Sequence, residues 1–233
     1  MPVMRRTRIK ICGVTTPQTA IAAAEAGADA VGLVFVEASP RCLTLDAAKD
    51  IVRELPAFVT PVALFVDIPV DDMRRTVEAL HIRVIQLHGR EGPAVVESLQ
   101  PHRVIKSLGF TLDEAHAQLP HWRKTSANLA AILWDTPPAN QRLHTSLTGG
   151  SGRPFDWHAL ADFQRDGGMD GLPPLVLAGG LTPQNVMDAI GMLQPWAVDV
   201  SSGVESTPGH KDPAMIHDFC QAVIAADHHY SMA

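Results

Sequence analysis

The sequence predicts an α/β chain folded as a single-domain (β/α)8 TIM barrel, and three observations carry that expectation. Eight short apolar runs recur along 233 residues, each followed by a loop and a segment of helical periodicity, the pattern of parallel strands with crossover helices. The runs are apolar throughout rather than alternating, as strands covered on both faces are. Their number and the chain length suit an eight-stranded barrel, with an open doubly wound sheet as the other arrangement of the same units.

The first strand spans residues 8–13 and carries Cys12 at its end, before Gly13. Thr16 is placed to cap the first helix with Pro17 at the first helical position, and Ala20, Ala23, Ala24 and Gly27 give that helix a small face for close packing. The second strand is residues 30–35. After a loop at 37–43, Thr44 caps a helix with Ala47, Ile51 and Leu55 on one side. The third strand is residues 62–66, and a helix over 70–80 carries Met73, Val77 and Leu80. The fourth strand, 84–87, runs into His88-Gly89. A helix at 93–99 leads to the fifth strand, 103–108. Residues 112–124 are weakly helical, and the sixth apolar run, 130–134, ends in Asp135.

A loop over 136–153 is rich in Pro, Gly, Ser and Thr, and loops of that length are usually functional or mobile. Asp156 caps the next helix, and the seventh strand, 175–178, precedes Gly179-Gly180. Thr182-Pro183 repeats the Thr-Pro-Gln wording found at Thr16 and predicts another helix start there. The eighth strand, 197–200, precedes Ser201-Ser202-Gly203. The last helix begins at Asp212-Pro213, and residues 220–233 form its end and a solvated tail, with His228 and His229 beyond the helix.

Composition excludes several function classes. A net charge of −6 opposes a surface built for nucleic acid or an anionic membrane, which needs clustered Lys and Arg. No apolar run approaches the ~18 residues of a membrane span, and Lys10, Gly13 and Pro17 interrupt any secretory leader. Three cysteines, Cys12, Cys42 and Cys220, are an odd number without metal-ligand spacing. A reducing, cytoplasmic setting is expected, with no metal site.

In such a barrel the strand C-termini share one face, where the functional loops sit. Cys12, Arg41, His88, Asp135, Gly179, Asp199 and Ser201 would converge there from distant parts of the chain. Each has a bland reading: a packed core thiol for Cys12, a solvated guanidinium for Arg41, a structural imidazole for His88, and a solvent-facing carboxylate for Asp135. The glycine-rich segments Gly149-Gly150-Ser151-Gly152, Gly179-Gly180 and Ser201-Ser202-Gly203 follow the last three strands, where barrels of this class hold phosphate. No Gly-Lys-Ser or Gly-Lys-Thr follows, so the P-loop pattern does not apply. A phosphorylated small molecule is the expected ligand.

Lys10-Ile11-Cys12-Gly13, Gly32-Leu33-Val34-Phe35, Ser39-Pro40-Arg41, Phe65-Val66, Gln86-Leu87-His88-Gly89, Asp135, Gly149-Gly150-Ser151-Gly152 with Phe155-Asp156-Trp157, Leu177-Ala178-Gly179-Gly180-Leu181 and Val198-Asp199-Val200-Ser201-Ser202-Gly203-Val204-Glu205 stand in unbroken order. Together they resemble the phosphoribosylanthranilate isomerase family of tryptophan biosynthesis. The resemblance implies an Amadori rearrangement of N-(5-phosphoribosyl)anthranilate to 1-(2-carboxyphenylamino)-1-deoxyribulose 5-phosphate. It implies Asp135 as general acid, Cys12 as the thiolate base, Arg41 at the anthranilate carboxylate, and Asp199 at a sugar hydroxyl. Gly179, Gly180, Ser201, Ser202 and Gly203, with Ser151 and Gly152, would hold phosphate, and His88 would line the substrate site. No metal or organic cofactor is implied, since the substrate nitrogen is the electron sink.

A free thiol near pKa ~8.5 is mostly protonated at neutral pH, and no His or Lys partner for Cys12 is identifiable from the sequence. Trp134 departs from the aliphatic residue usual before the acid. The alternatives are the related histidine-pathway isomerase, which favours a carboxylate where Cys12 stands, and a non-catalytic phosphosugar-binding barrel.

Overall fold

The computed structural model describes residues 6–124, 127–137 and 155–231. Eight strands, β1 (Arg8–Cys12), β2 (Ala30–Val34), β3 (Thr60–Phe65), β4 (Val84–Leu87), β5 (Arg103–Gly109), β6 (Leu129–Asp135), β7 (Leu175–Leu177) and β8 (Ala197–Val200), form one closed parallel barrel in sequence order. Closure is made by β1, which pairs with β2 on one side and with β8 on the other. An open doubly wound sheet has two edges and is thereby excluded. Helices α1 (Pro17–Ala26), α2 (Leu45–Glu54), α3 (Val70–Ala79), α4 (Pro93–Ser98), α5 (Leu112–Trp122), α6 (Trp157–Arg165), α7 (Val186–Leu193) and α8 (Pro213–Ser231) follow the strands in turn.

The helix starts follow local chemistry. Thr16 Oγ1 accepts from the Thr19 amide at 3.2 Å, Pro17 opens α1, and Gly27 ends it in the left-handed region at φ 106°. Thr44 and Asp156 cap α2 and α6 by the same acceptor geometry, and Asp212 Oδ1 takes the Ala214 and Met215 amides at the head of α8.

Two expectations are corrected. Thr182 does not open α7: Asn185 Oδ1 accepts the Thr182 amide at 2.8 Å and its Nδ2 donates to the Gly180 carbonyl at 2.9 Å. The Thr182 carbonyl accepts the Asn185 and Val186 amides at 3.2 and 3.1 Å, so residues 183–185 form a turn and the helix begins at Val186. His228 and His229 are not beyond the last helix either. Buried Cys220, Val223 and Ala226 carry the apolar stripe of α8 as far as Ala226, and the two histidines are exposed further along the same helix. A small antiparallel hairpin, β9 (Glu205–Thr207) with β10 (His210–Lys211), is an addition the sequence reading did not contain.

Strand periodicity divides the apolar residues between two cores. Ile9, Ile11, Val31, Leu33, Ala63 and Phe65 point outward into the large layer beneath the helices. Ala131, Leu133, Val176, Ala178 and Ala197 fill the barrel interior with Ile105 and Trp196. On that inward face the filling changes toward the strand C-termini. Lys10, Gln86, Ser107, Asp135 and Asp199 are all buried there, which is costly unless they are paired.

Candidate active site

One cavity opens at the C-terminal ends of the strands, and Cys12, Arg41, His88, Asp135, Gly179, Gly180, Asp199, Ser201, Ser202 and Gly203 all line it. Closure of the barrel thus gathers residues scattered over most of the chain. Ser151 and Gly152 lie outside the described residues.

Cys12 is the last residue of β1, and the two-residue period of a strand puts Lys10 on the same face one layer deeper. Lys10 is directly opposite Asp199 in the β1–β8 register, and its Nζ lies 2.8 Å from both carboxylate oxygens. The Lys10 ammonium also approaches Cys12 closely enough to favour its thiolate. Gly32, the partner of Cys12 on β2, makes room for this approach. A Cβ there would stand 2.7 Å from the sulfur and 3.1 Å from the ammonium.

Burial pushes the Cys12 thiol up, and Asp199 pushes in the same direction while Lys10 and Lys211 pull it down. Burial also raises the Asp199 carboxyl, against the pull of Lys10. For Lys10 burial acts to lower the ammonium, but Asp199 and Cys12 outweigh it, so the group sits above its ordinary value. Lys10 is therefore the fixed cation of this trio. Sequence reasoning missed it, although a lysine inside an otherwise apolar run, two residues before the thiol, was the available signal.

Asp135 ends β6. Its Oδ1 accepts the Thr136 amide at 2.7 Å and its Oδ2 lies 3.3 Å from His88 Nε2. The Gln86 amide nitrogen lies 3.2 Å from His88 Nδ1 and 3.2 Å from Ser107 Oγ. With that nitrogen donating to Nδ1, the ring proton sits on Nε2 and faces the carboxylate. His88 is thus a neighbour of Asp135, held from the side by the layer of Gln86.

Arg41, expected as a loop guanidinium, is largely buried. Its Nε and a terminal nitrogen each donate to Glu205 at 2.7 Å. Lys211 Nζ reaches the same carboxylate at 2.6 Å and donates to the Ser201 carbonyl at 3.0 Å. Glu205 stands in the sequence motif without an assigned role, and Lys211 was not singled out; their signal is visible only once the hairpin folds back over the barrel mouth. Two of the five guanidinium N–H groups are engaged, and the fork has further donors for a ligand.

The glycines after β7 and β8 are there for space. Gly179 and Gly180 adopt φ of 81° and 66°, a region open chiefly to glycine. A Cβ on Gly179 would stand 2.6 Å from the Thr136 amide nitrogen and 3.0 Å from Asp135 Oδ1, and one on Gly203 would stand 1.8 Å from the Leu181 carbonyl oxygen. Among the described residues no cluster of His, Cys, Asp and Glu is placed to hold a metal ion.

A buried thiol beside a cation, a carboxylate across the cavity and bare backbone turns at the rim can move protons on an anionic small molecule. Comparison with known proteins agrees with this chemistry. The family model described as N-(5'phosphoribosyl)anthranilate (PRA) isomerase matches residues 9–222. N-(5'-phosphoribosyl)anthranilate isomerase of Leptothrix cholodnii is 42% identical over 224 residues, 95% of this chain and 93% of that protein. The Geobacter sp. enzyme of the same name is 44% identical over 215 residues, covering 91% and 96%.

Among solved structures, phosphoribosyl anthranilate isomerase from Thermotoga maritima superposes with a TM-score of 0.81 at 35% identity, covering 94% of this chain and 99% of that one. A phosphoribosyl anthranilate isomerase in complex with reduced 1-(o-carboxyphenylamino)-1-deoxyribulose 5-phosphate superposes at 0.78 with 33% identity, covering 94% and 99%. The chain therefore belongs to the phosphoribosylanthranilate isomerase family.

Proposed function

We propose that this chain converts N-(5-phosphoribosyl)anthranilate to 1-(2-carboxyphenylamino)-1-deoxyribulose 5-phosphate with Asp135 as general acid and Cys12 as general base. The observation that carries the reading is that the two side chains line one cavity together with Arg41 and the glycine turns after β7 and β8. Asp135 gives a proton to the ribose ring oxygen; the C1–O bond breaks and its electrons go to that oxygen, while the nitrogen lone pair forms the C1=N iminium. Cys12, as thiolate, then takes the C2 proton. The C2–H electrons form C1=C2 and the iminium pair returns to nitrogen, leaving an enol amine that tautomerises to the ketone. No metal or organic cofactor enters, because the substrate nitrogen accepts the electrons.

Arg41 holds the anthranilate carboxylate through donors not used by Glu205. Asp199, although paired with Lys10, keeps lone pairs for a sugar hydroxyl, and His88 orients Asp135. Gly179, Gly180, Ser201, Ser202 and Gly203 hold the phosphate, with Ser151 and Gly152 assigned from sequence alone. The bound product analogue of a structural relative supports a phosphorylated small-molecule ligand. No helix among the described residues is long and apolar enough to cross a membrane, and a reduced Cys12 suits the cytoplasm.

Cys12→Ser and Asp135→Asn should each lose at least ~10² in turnover, with smaller changes in substrate affinity. Near-normal turnover in either would remove its assigned role. Arg41→Ala should chiefly raise KM, and an unchanged KM would remove the clamp.

A further inference from the structure

We propose that Lys10 is a positioning residue that holds the Cys12 thiolate in place, with Gly32 providing the space and Asp199 fixing the ammonium between them. This rests on Cys12 being the base. A thiolate produced inside a barrel needs a charge partner that does not itself titrate away, and the geometry supplies one. The Lys10 ammonium has three N–H bonds; two of the possible directions meet the Asp199 oxygens at 2.8 Å, and the Cys12 sulfur lies close by, both groups flanking the same point over Gly32.

The arrangement is built from three strands. Lys10 and Cys12 come from the inward face of β1, Asp199 from its neighbour β8, and Gly32 from its neighbour β2. A methyl group at Gly32 would crowd both groups, 2.7 Å from the sulfur and 3.1 Å from the ammonium nitrogen. On the other sides of Cys12 lie Val34, Val36 and Leu64, which offer no charge.

The remaining charged groups facing this trio are Lys211 from β10, which favours the thiolate weakly, and Asp135 with His88, which act on Asp199 from across the cavity. Lys211 is tied to Glu205, and that carboxylate is shared with Arg41. Lys10 thus acts on the sulfur more strongly than Lys211 does, and its own buried counter-ion is Asp199. When Cys12 takes the C2 proton, the S–H bond forms and the trio goes from a net charge of −1 to the neutral Lys10–Asp199 pair, the ammonium having offset part of the second anion until then.

The test is alkylation of Cys12 by iodoacetamide in the ligand-free protein as a function of pH, read on the Cys12 peptide by mass spectrometry in a Cys42→Ser background. Cys220 stays silent, since it is buried and its thiol is pushed up to about 12. Below the thiol midpoint the rate follows the thiolate fraction, so Lys10→Met should shift the pH profile upward by about one unit or more, roughly tenfold slower alkylation at fixed pH. Asp199→Asn should act in the opposite sense and speed the reaction, because it removes an anion facing the sulfur.

A merely structural role would loosen the site and expose Cys12, speeding alkylation in both variants. An unchanged or faster rate in Lys10→Met, or a slower one in Asp199→Asn, would overturn the proposal. If Lys10→Met does not fold, Lys10→Gln takes its place with the same expected upward shift, and an unchanged or faster rate in it would likewise overturn the proposal. Turnover separates this from the parent reading: Cys12→Ser with full activity removes the base, whereas an inactive Cys12→Ser with an unmoved Lys10→Met alkylation profile removes only Lys10.

Discussion

At the scale of single residues, the cavity is shaped as much by absent side chains as by present ones. Gly179 combines a left-handed φ of 81° with a Cβ position 2.6 Å from the Thr136 amide nitrogen and 3.0 Å from Asp135 Oδ1. Gly179→Ala should therefore cost about 1–2 kcal/mol of stability from the backbone conformation. Its larger effect should fall on turnover, because shifting the acid by about 1 Å can cost roughly 10²-fold. Steady-state kinetics beside urea denaturation measure both, and normal kcat in a folded Gly179→Ala would show that Asp135 does not depend on this packing. Cys12, Asp135 and the glycine turns were legible in the sequence, since each closes an apolar run at the strand end where barrel chemistry gathers. Lys10 and Glu205 were not given roles. The lysine stands out in its apolar run, but its role needs its counter-ion, and Asp199 is 189 positions away along the chain.

At the scale of elements, the strands were legible because apolar periodicity is a local property, whereas loop identity depends on tertiary partners. The repeated Thr-Pro-Gln wording gives a helix at Pro17 and a turn at Pro183, where the Asn185 side chain ties back to Thr182 and Gly180 with two hydrogen bonds. The β9–β10 hairpin was invisible for a similar reason: its anchor is Glu205, which joins Arg41 from the loop after β2 and Lys211 from its own second strand. Burial acts to raise the Glu205 carboxyl, but hydrogen bonds from Arg41 and Lys211 outweigh it and hold the group below the usual carboxylate range. A carboxyl lower in the folded than in the unfolded chain contributes stability above its unfolded value, about pH 4.3, and loses it as pH falls through the folded value. Glu205→Gln should therefore be less stable than the parent at neutral pH, and the gap in urea midpoint should close on acidification below about pH 4. A gap that stays constant down through that range would mean the carboxylate charge contributes nothing to anchoring the hairpin.

At the scale of the whole molecule, the barrel separates its two ends. The C-terminal rim carries the polar cavity, and the opposite rim joins the first strand to the last helix, as expected where one face supports chemistry and the other stability. Thr7, just before β1, donates its amide and its hydroxyl to the two Asp227 oxygens, each at 2.7 Å, and so ties the first strand to the last helix. This contact complements the closing β1–β8 register, which joins the first and last strands. Asp227→Ala would leave the buried Thr7 amide without that acceptor, a loss of about 1–3 kcal/mol. For a chain of this size each kcal/mol lowers Tm by about 2–4 °C. Because Asp227 lies at the opposite rim from Cys12 and Asp135, kcat/KM measured well below the transition should equal that of the parent. Thermal unfolding with steady-state kinetics at a low temperature tests both halves, and a folded Asp227→Ala that loses turnover would mean that closure of the barrel sets the geometry of the cavity as well as its stability.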